Sequence, residues 1–382
     1  LIYHDSHYRY LASVNQCSLS IHAPSPIRDG GPCVGTDPHD ERVVDRDRLS
    51  AYLTDQLGPA EHRRIVRHPG GHSNETIFIE WDGQYVLRRP PLGAVGEKAH
   101  DVLREYRIIE ALQDSDVPVP QTVLACPDTS VIGAEFYVMR RAQGEVYRPS
   151  NPPAFAAADD RHRLGLAHVD TLAAVHQVDL AETGLSSLGH PTGFTARQID
   201  IWHAQLRRDR EVTHAERPIE GADAIATWLR AHRPTVDRPR LVHGDFKLDN
   251  LMFDADDPGT VTAIFDWELC TVGDPLSDLG WLLFFWHESG DPEVSMPDLM
   301  PRFTSEKGYP SRAQLADRYT NLTGIPARAM DFYQGLAAFK MIALGEMFFA
   351  RHLRGDSDDP LYPKMRTGVP DLIDRTRTQL GC

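Results

Sequence analysis

The sequence predicts an α+β protein in two lobes, a small antiparallel-sheet lobe followed by a mainly helical one. Three observations carry this. Short β-prone runs, two of them joined by Asp82-Gly83, fill the region before residue 142; stretches of 3.6-residue apolar period follow Gly144; and one hairpin pattern interrupts them at residues 250–266.

Residues 1–43 carry His, Ser, Pro and Gly without a period, including Ala23-Pro24-Ser25-Pro26 and Gly30-Gly31-Pro32, and read as a poorly structured tail. At Asp45 the pattern changes. Leu and Tyr recur at helical spacing over residues 47–57, and Gly58-Pro59 ends the run. Strand-like segments follow at 63–67, 76–81 and 84–88, the last two joined by Asp82-Gly83, a turn dipeptide that tolerates positive φ. A helix over 99–112 places Val102, Leu103, Tyr106, Ile109 and Leu112 on one face. Pro118 and Pro120 close that segment, and strands are predicted at 122–125 and 135–139. These elements make a small lobe over residues 44–142. The rest, residues 143–382, has helical periods at 163–176, 196–208, 222–231, 312–319 and 330–353. Clefts between lobes are where small-molecule sites tend to lie.

Composition narrows the function. The chain has 382 residues, 41% hydrophobic and 25% charged, which is too apolar for a disordered chain. Apolar stretches such as residues 281–286 fall far short of a membrane span. With 55 acidic against 40 basic side chains, the net charge of −15 argues against nucleic acid or an anionic membrane as partner. Only 5 of the basic residues are Lys and 35 are Arg, while Asp outnumbers Glu 37 to 18. That balance suits a halophilic protein whose surface stays hydrated at high salt; a GC-rich genome is the bland alternative. Cys17, Cys33, Cys126, Cys270 and Cys382 form no CxxC pair and read as reduced thiols in a cytoplasmic protein. Residues 1–20 lack a basic region followed by an apolar core, so no secretory signal is expected there. Oligomeric state leaves no mark on the sequence.

The chemistry concentrates in Leu241-Val-His-Gly-Asp-Phe-Lys-Leu-Asp-Asn-Leu-Met-Phe253 and Val261-Thr-Ala-Ile-Phe-Asp-Trp-Glu268. Two β-prone runs flank the turn-forming Asp254-Ala-Asp-Asp-Pro-Gly259, so the pair reads as a hairpin centred near Pro258, with Asn250 and Asp266 facing each other at its open end. An amide oxygen and a carboxylate are hard ligands suited to Mg2+, which takes its remaining ligands from water and substrate phosphates. Asp245, five residues before Asn250, is placed to accept the proton of an attacking hydroxyl. Lys247 offers an ammonium to a transferring γ-phosphate.

His-x-Asp-x-Lys-x-x-Asn is the spacing of the protein-kinase catalytic loop. With Gly244 in place of the usual Arg, Asp266-Trp-Glu268 in place of Asp-Phe-Gly, and Gly273-Asp-Pro-Leu-Ser-Asp-Leu-Gly280 following, residues 45–355 resemble the aminoglycoside phosphotransferase and choline kinase-like family. The resemblance implies a two-lobed, protein-kinase-like fold and ATP and Mg2+ as cofactors. It also implies a nucleotide-binding N-lobe over 44–142 and a C-lobe carrying the catalytic loop and substrate site. His68-Pro-Gly-Gly-His-Ser-Asn74 sits where the family has its phosphate-covering turn, which assigns Gly71, Ser73 and Asn74 to the nucleotide. Tyr85-Val-Leu-Arg-Arg-Pro90 sits where the family has a Lys-bearing strand. Alternation places Val86 and Arg88 on one face, so Arg88 is assigned to the phosphates, Val86 to the adenine and Glu105 to the ion pair that orients Arg88. Met139 and Arg141 belong to the segment leading into the hinge, whose backbone would meet adenine.

Gly70-Gly71-His-Ser-Asn74, Val86-Leu-Arg-Arg-Pro-Pro91 and the late helix Phe339-Lys-Met-Ile-Ala-Leu-Gly-Glu-Met-Phe-Phe-Ala-Arg351 look most like the branch associated with acyl-CoA dehydrogenases. That implies a kinase of a small hydroxylated metabolite, a hydroxyacyl thioester or an amino alcohol, and not dehydrogenase chemistry, for which no flavin motif is present. Several residues have blander roles. His243 and Asp278 are expected to support the loop, Asp278 by bonding the 243–245 backbone. Met341, Met347, Phe348 and Phe349 are expected in the core. Two other functions compete: a catalytically silent nucleotide sensor or scaffold, which the Arg88 departure favours, and antibiotic phosphorylation, which needs a clustered acidic acceptor surface.

Overall fold

The computed structural model describes residues 43–68, 74–92, 101–146, 157–235, 238–293, 296, 299–300 and 302–382. The assignments for the tail, Gly71 and Ser73 therefore lie outside the described residues. The chain divides into two compact units, and residues 249–255 and 262–268 group with the first although they follow most of the second's opening helices in sequence.

The first unit begins with α1 (Arg46–Leu57), capped by the Asp45 carboxylate, which accepts from the Arg48 amide at 3.0 Å. Next come β1 (Arg63–Arg67), β2 (Glu75–Trp81), β3 (Gln84–Arg89), α2 (Val102–Ala111), β4 (Thr122–Cys126) and β5 (Phe136–Arg140). The five strands form one antiparallel sheet in the order β1-β2-β3-β5-β4. Asp82 takes the positive φ of 47° at the β2–β3 turn, and its carboxylate accepts from the Glu61 and His62 amides. Leu49 and Leu53 of α1 join Ile77, Ile79, Leu87, Phe136 and Val138 in one apolar cluster.

β3 is covered on both faces. Leu87 packs into the α1 cluster, and Arg89, whose guanidinium donates to the Val43 and Ile132 carbonyls, shares its alternation; Val86 and Arg88 face the other way. The hairpin strands β7 (Leu251–Phe253) and β8 (Val261–Ile264) pair with each other. Glu145 bridges to Phe253 through two backbone bonds of 2.8 Å. Asn250 does not stand directly opposite Asp266: its carbonyl accepts from Phe265 at 2.8 Å, one residue off the symmetric expectation. The loop axis therefore falls between residues rather than on Pro258.

The second unit contains α3 (Ala158–Gln177), α4 (Phe194–Thr213), α5 (Ala222–Ala231), α6 (Leu276–Phe285), α7 (Arg312–Thr323), α8 (Met330–Arg354) and α9 (Met365–Leu380). It also holds the short antiparallel pair β6 (Arg240–Val242) and β9 (Thr271–Gly273). Helices α4, α5, α6 and α9 pack around α8, whose residues from Leu336 to Ala350 are buried all round, Met341, Met347, Phe348 and Phe349 among them. Two helices and the short strands escape sequence periodicity. The α6 stretch Leu-Gly-Trp-Leu-Leu-Phe-Phe is apolar on every side, α9 contains Pro370, and three-residue strands are too short to alternate. Among the described residues no helix is long and apolar enough to cross a membrane.

Candidate functional site

In the first unit β2, β3, β5, α2 and the β7–β8 hairpin enclose a cavity of about 510 Å3, counting the part open to solvent. Strand pairing builds its floor. Val86 lies opposite Met139 and Arg88 opposite Tyr137, while Thr76 faces Arg88 from the other side. Arg88 donates through Nη1 to Thr76 Oγ1 at 3.4 Å, and its Nη2 lies 3.6 Å from Glu105 Oε1; both charged side chains are only 3% exposed. Burial this deep makes the pair strongly interdependent, because removing one partner leaves an uncompensated charge.

Arg141 enters the same lining and holds its guanidinium 4.6 Å from the centre of the Phe78 ring. Ile264, Phe265 and Asp266 close the cavity from the hairpin side. Asp266 is buried and adopts φ of 66°, a left-handed conformation that non-glycine residues take at a cost. Asn250 is 1% exposed at the hairpin's open end. Asn74 is buried immediately before β2, where the His68 amide meets the Thr76 carbonyl at 2.9 Å. The first unit thus brings together Val86, Arg88, Glu105, Met139, Arg141 and Asp266, with Asn250 one backbone bond from the lining residue Phe265.

In the second unit, β6 delivers the chain into His243-Gly244-Asp245. Gly244 has φ of 88°, and a Cβ there would lie 2.7 Å from Leu269 Cβ and 2.9 Å from its carbonyl oxygen. An Arg at this position would therefore be both strained and obstructed. Asp278, in the first turn of α6, accepts from the His243 amide at 2.7 Å and the Gly244 amide at 2.9 Å. Its Oδ2 is also 3.3 Å from His176 Nε2, and His176 Nδ1 is 2.7 Å from the Tyr319 hydroxyl. The Asp245 amide donates to His243 Nδ1 at 3.2 Å, which makes that ring nitrogen the acceptor.

Asp245 itself is 3% exposed; its Oδ1 accepts from Trp281 Nε1 at 2.9 Å and its Oδ2 lies 3.4 Å from Lys247 Nζ. Beneath the loop, His168 stacks on Phe246 at 5.2 Å, and burial pushes its pKa down to about 3, so its ring is neutral. Burial also pushes the Asp274 carboxyl above its ordinary range, against the lowering hydrogen bond from the Tyr333 hydroxyl. The sequence reading missed Trp281, Lys340, Thr76 and His176. A signal for Lys340 existed: it is one of 5 Lys in the chain and, with Glu346, one of two charged side chains among the buried residues of α8.

The profile of the phosphotransferase enzyme family (APH) matches residues 64–299. The chain belongs to this family. The family's protein-kinase-like fold is also that of a putative aminoglycoside phosphotransferase from Ralstonia eutropha, 28% identical with a TM-score of 0.75, which covers 88% of this chain and 98% of that one. An aminoglycoside 2'-phosphotransferase-IIIa solved as its GDP complex aligns over 87% and 99% with a TM-score of 0.57, at 15% identity, a likeness of fold alone. Among curated relatives, human acyl-CoA dehydrogenase family member 11 is 33% identical over 328 residues, covering 83% of this chain and 40% of the human protein. A probable acyl-CoA dehydrogenase, IBR3 of Arabidopsis thaliana, is 28% identical over 82% of this chain and 40% of its own length. This family member thus spans about two fifths of the length of these relatives. Among its described residues no three His, Cys, Asp or Glu side chains form a metal-binding group.

Proposed function

We propose that this chain transfers the γ-phosphate of ATP to a hydroxyl of a small molecule, with Mg2+ held by Asn250 and Asp266. The observation that carries the reading is the first unit's cavity, which gathers Arg88, Glu105 and Asp266 beneath apolar walls of Val86, Met139, Ile264 and Phe265. Those walls suit the faces of a purine. The Arg88 guanidinium, oriented by Glu105, suits a phosphate, which it can meet with two parallel N–H donors. Asn250 and Asp266 supply hard oxygen donors, and a pair of them leaves the remaining positions to water and phosphate. Gly71, Ser73 and Asn74 are assigned to the phosphates, and the backbone near Arg141 to the adenine edge.

When bound, Mg2+ supplies charge neutralisation on the donor phosphates. The chain's own residues do the rest. Asp245 orients the acceptor hydroxyl and takes its proton, Lys247 adds positive charge beside it, and Asp278 with His243 holds the loop. Positioning dominates because phosphoryl transfer asks little covalent chemistry of the protein.

For the acceptor we favour a hydroxyacyl thioester over an amino alcohol, because the relatives at 33–35% identity carry acyl-CoA dehydrogenase names. Purified full chain with Mg·ATP, screened against hydroxyacyl-CoAs, choline-like alcohols, sugars and aminoglycosides, tests the proposal by ADP formation. A hydroxyacyl-CoA should raise turnover. Asp245→Ala should bind nucleotide and lose turnover, and Asp266→Ala should lose metal-dependent nucleotide binding. Full turnover in Asp245→Ala would sink the role of Asp245, and ATP binding without turnover on any hydroxyl would favour the silent sensor.

A further inference from the structure

Lys340, one of 5 Lys in the chain, is a buried cation on α8, 7% exposed. A buried ammonium is costly unless its positive charge is met. Here Nζ donates to the Gly244 carbonyl at 2.7 Å and stands 3.9 Å from the centre of the Trp281 ring, with the Trp202 ring at 5.4 Å. Both near partners belong to the surroundings of Asp245. Gly244 precedes it in the chain, and Trp281 Nε1 donates to its Oδ1 at 2.9 Å.

The helices explain the meeting. Gly280 lets α6 approach Tyr333 of α8, since a Cβ there would fall 2.4 Å from Tyr333 Cβ. Lys340 lies seven residues after Tyr333, two turns along the same face of α8, which brings it over Trp281, the residue after Gly280. Asp278 and Trp281 are three apart on α6, so one helix face holds the loop backbone and the Asp245 side chain together.

We propose that Lys340 and Trp281 act as a coupled pair of positioning residues for Asp245. A cation over the indole face draws electron density from the ring and strengthens the N–H as a donor. The strengthened N–H anchors Oδ1. Oδ2 lies on the Lys247 side, 3.4 Å from its Nζ. Gly244 is held in both peptide units that flank it, its N–H by Asp278 Oδ1 at 2.9 Å and its carbonyl by Lys340, which fixes the direction in which the Asp245 side chain departs. The assignment rests on Asp245 as the acceptor-side base, but the contact itself is testable without turnover.

The test uses the full chain labelled with 15N-tryptophan, which has six indole N–H resonances, Trp281 being identified by the one lost in Trp281→Phe. Lys340→Met should move the Trp281 resonance upfield, as should Asp245→Asn, with the other indoles in place. A Trp281 resonance unmoved by Lys340→Met overturns the coupling. In Mg·ATP hydrolysis without acceptor, Trp281→Phe and Lys340→Met should each lower kcat about ten- to a hundred-fold while KM for ATP holds. Lys340→Arg, which keeps the charge and stacks on indole, should recover part of the loss; recovery no better than Met would also overturn it. Should Lys340→Met not fold, Lys340→Gln keeps a donor for Gly244 without the charge and carries the same comparison. If Asp245→Ala keeps full turnover while Lys340→Met still moves the indole, the base assignment fails and the coupled contact stands.

Discussion

Replacing Asp278 by Ala asks how much one buried carboxylate contributes to holding the loop that carries Asp245. Its two oxygens accept from consecutive amides at 2.7 and 2.9 Å, at 1% exposure. A hydrogen bond to a charged group contributes about 1.5–3 kcal/mol net, so two of them put the loss at about 3–6 kcal/mol. That is a large share of the ~5–15 kcal/mol that keeps a typical domain folded. Water entering the space left by the carboxylate would accept from the amides and bring the loss to the lower end. Asp278→Asn retains one acceptor oxygen and turns its own N–H2 toward the second amide, for a loss of about 2–3 kcal/mol. Urea unfolding of the full chain at pH 7, followed by far-UV circular dichroism, measures both. The midpoint should fall in the order wild type, Asn, Ala, with the slope unchanged. A loss under about 1 kcal/mol for Asp278→Ala would refute the reasoning, because it would mean the loop is held elsewhere.

Arg88→Met strands the Glu105 charge in a buried site and should cost about 3–5 kcal/mol, whereas Arg88→Met with Glu105→Leu should recover most of it; equal losses in denaturant titration would show the pair uncoupled. Gly244→Ala adds a Cβ at φ of 88° against Leu269, for a cost of about 2–5 kcal/mol, and an unchanged thermal midpoint would reject it. His168 titrates near 6.5 when unfolded but is held down at about 3 in the fold, so the unfolded chain binds more protons between those values and this residue costs stability as pH falls. His168→Leu should therefore narrow the stability difference between pH 7 and pH 5, by up to about 1.4 kcal/mol per unit below 6.5, and identical pH slopes for variant and wild type would remove the assignment. The acidic balance predicts unfolding midpoints that rise from low to molar KCl; a flat response would leave codon usage as the reason for the scarce Lys.

Position by position, legibility followed the range of the interaction. The spacing from His243 to Asn250 is local, so the loop could be located by reading along the chain. Alternation over residues 84–89 sufficed to separate Arg88 from Arg89, because a strand sends neighbours to opposite faces whatever surrounds it. The hairpin register slipped by one because the turn's length in space depends on its backbone path, which Asp254 to Gly259 do not disclose by type alone. Helix α6 stayed hidden because burial on all sides removes the period that marks a helix.

By itself the sequence determined the strand faces, the turn chemistry at Asp82-Gly83, the spacing of the 243–250 loop and the burial of the α8 aromatics, all of which follow from neighbours in the chain. Tertiary structure decided the rest. The Trp281 indole on Asp245, the Lys340 ammonium on Gly244 and the His176–Asp278 contact join residues 36, 96 and 102 positions apart. Separations of that size are set by helix packing, to which no local period or motif is tied, and the close approach at Gly280 is what brings Trp281 and Lys340 together.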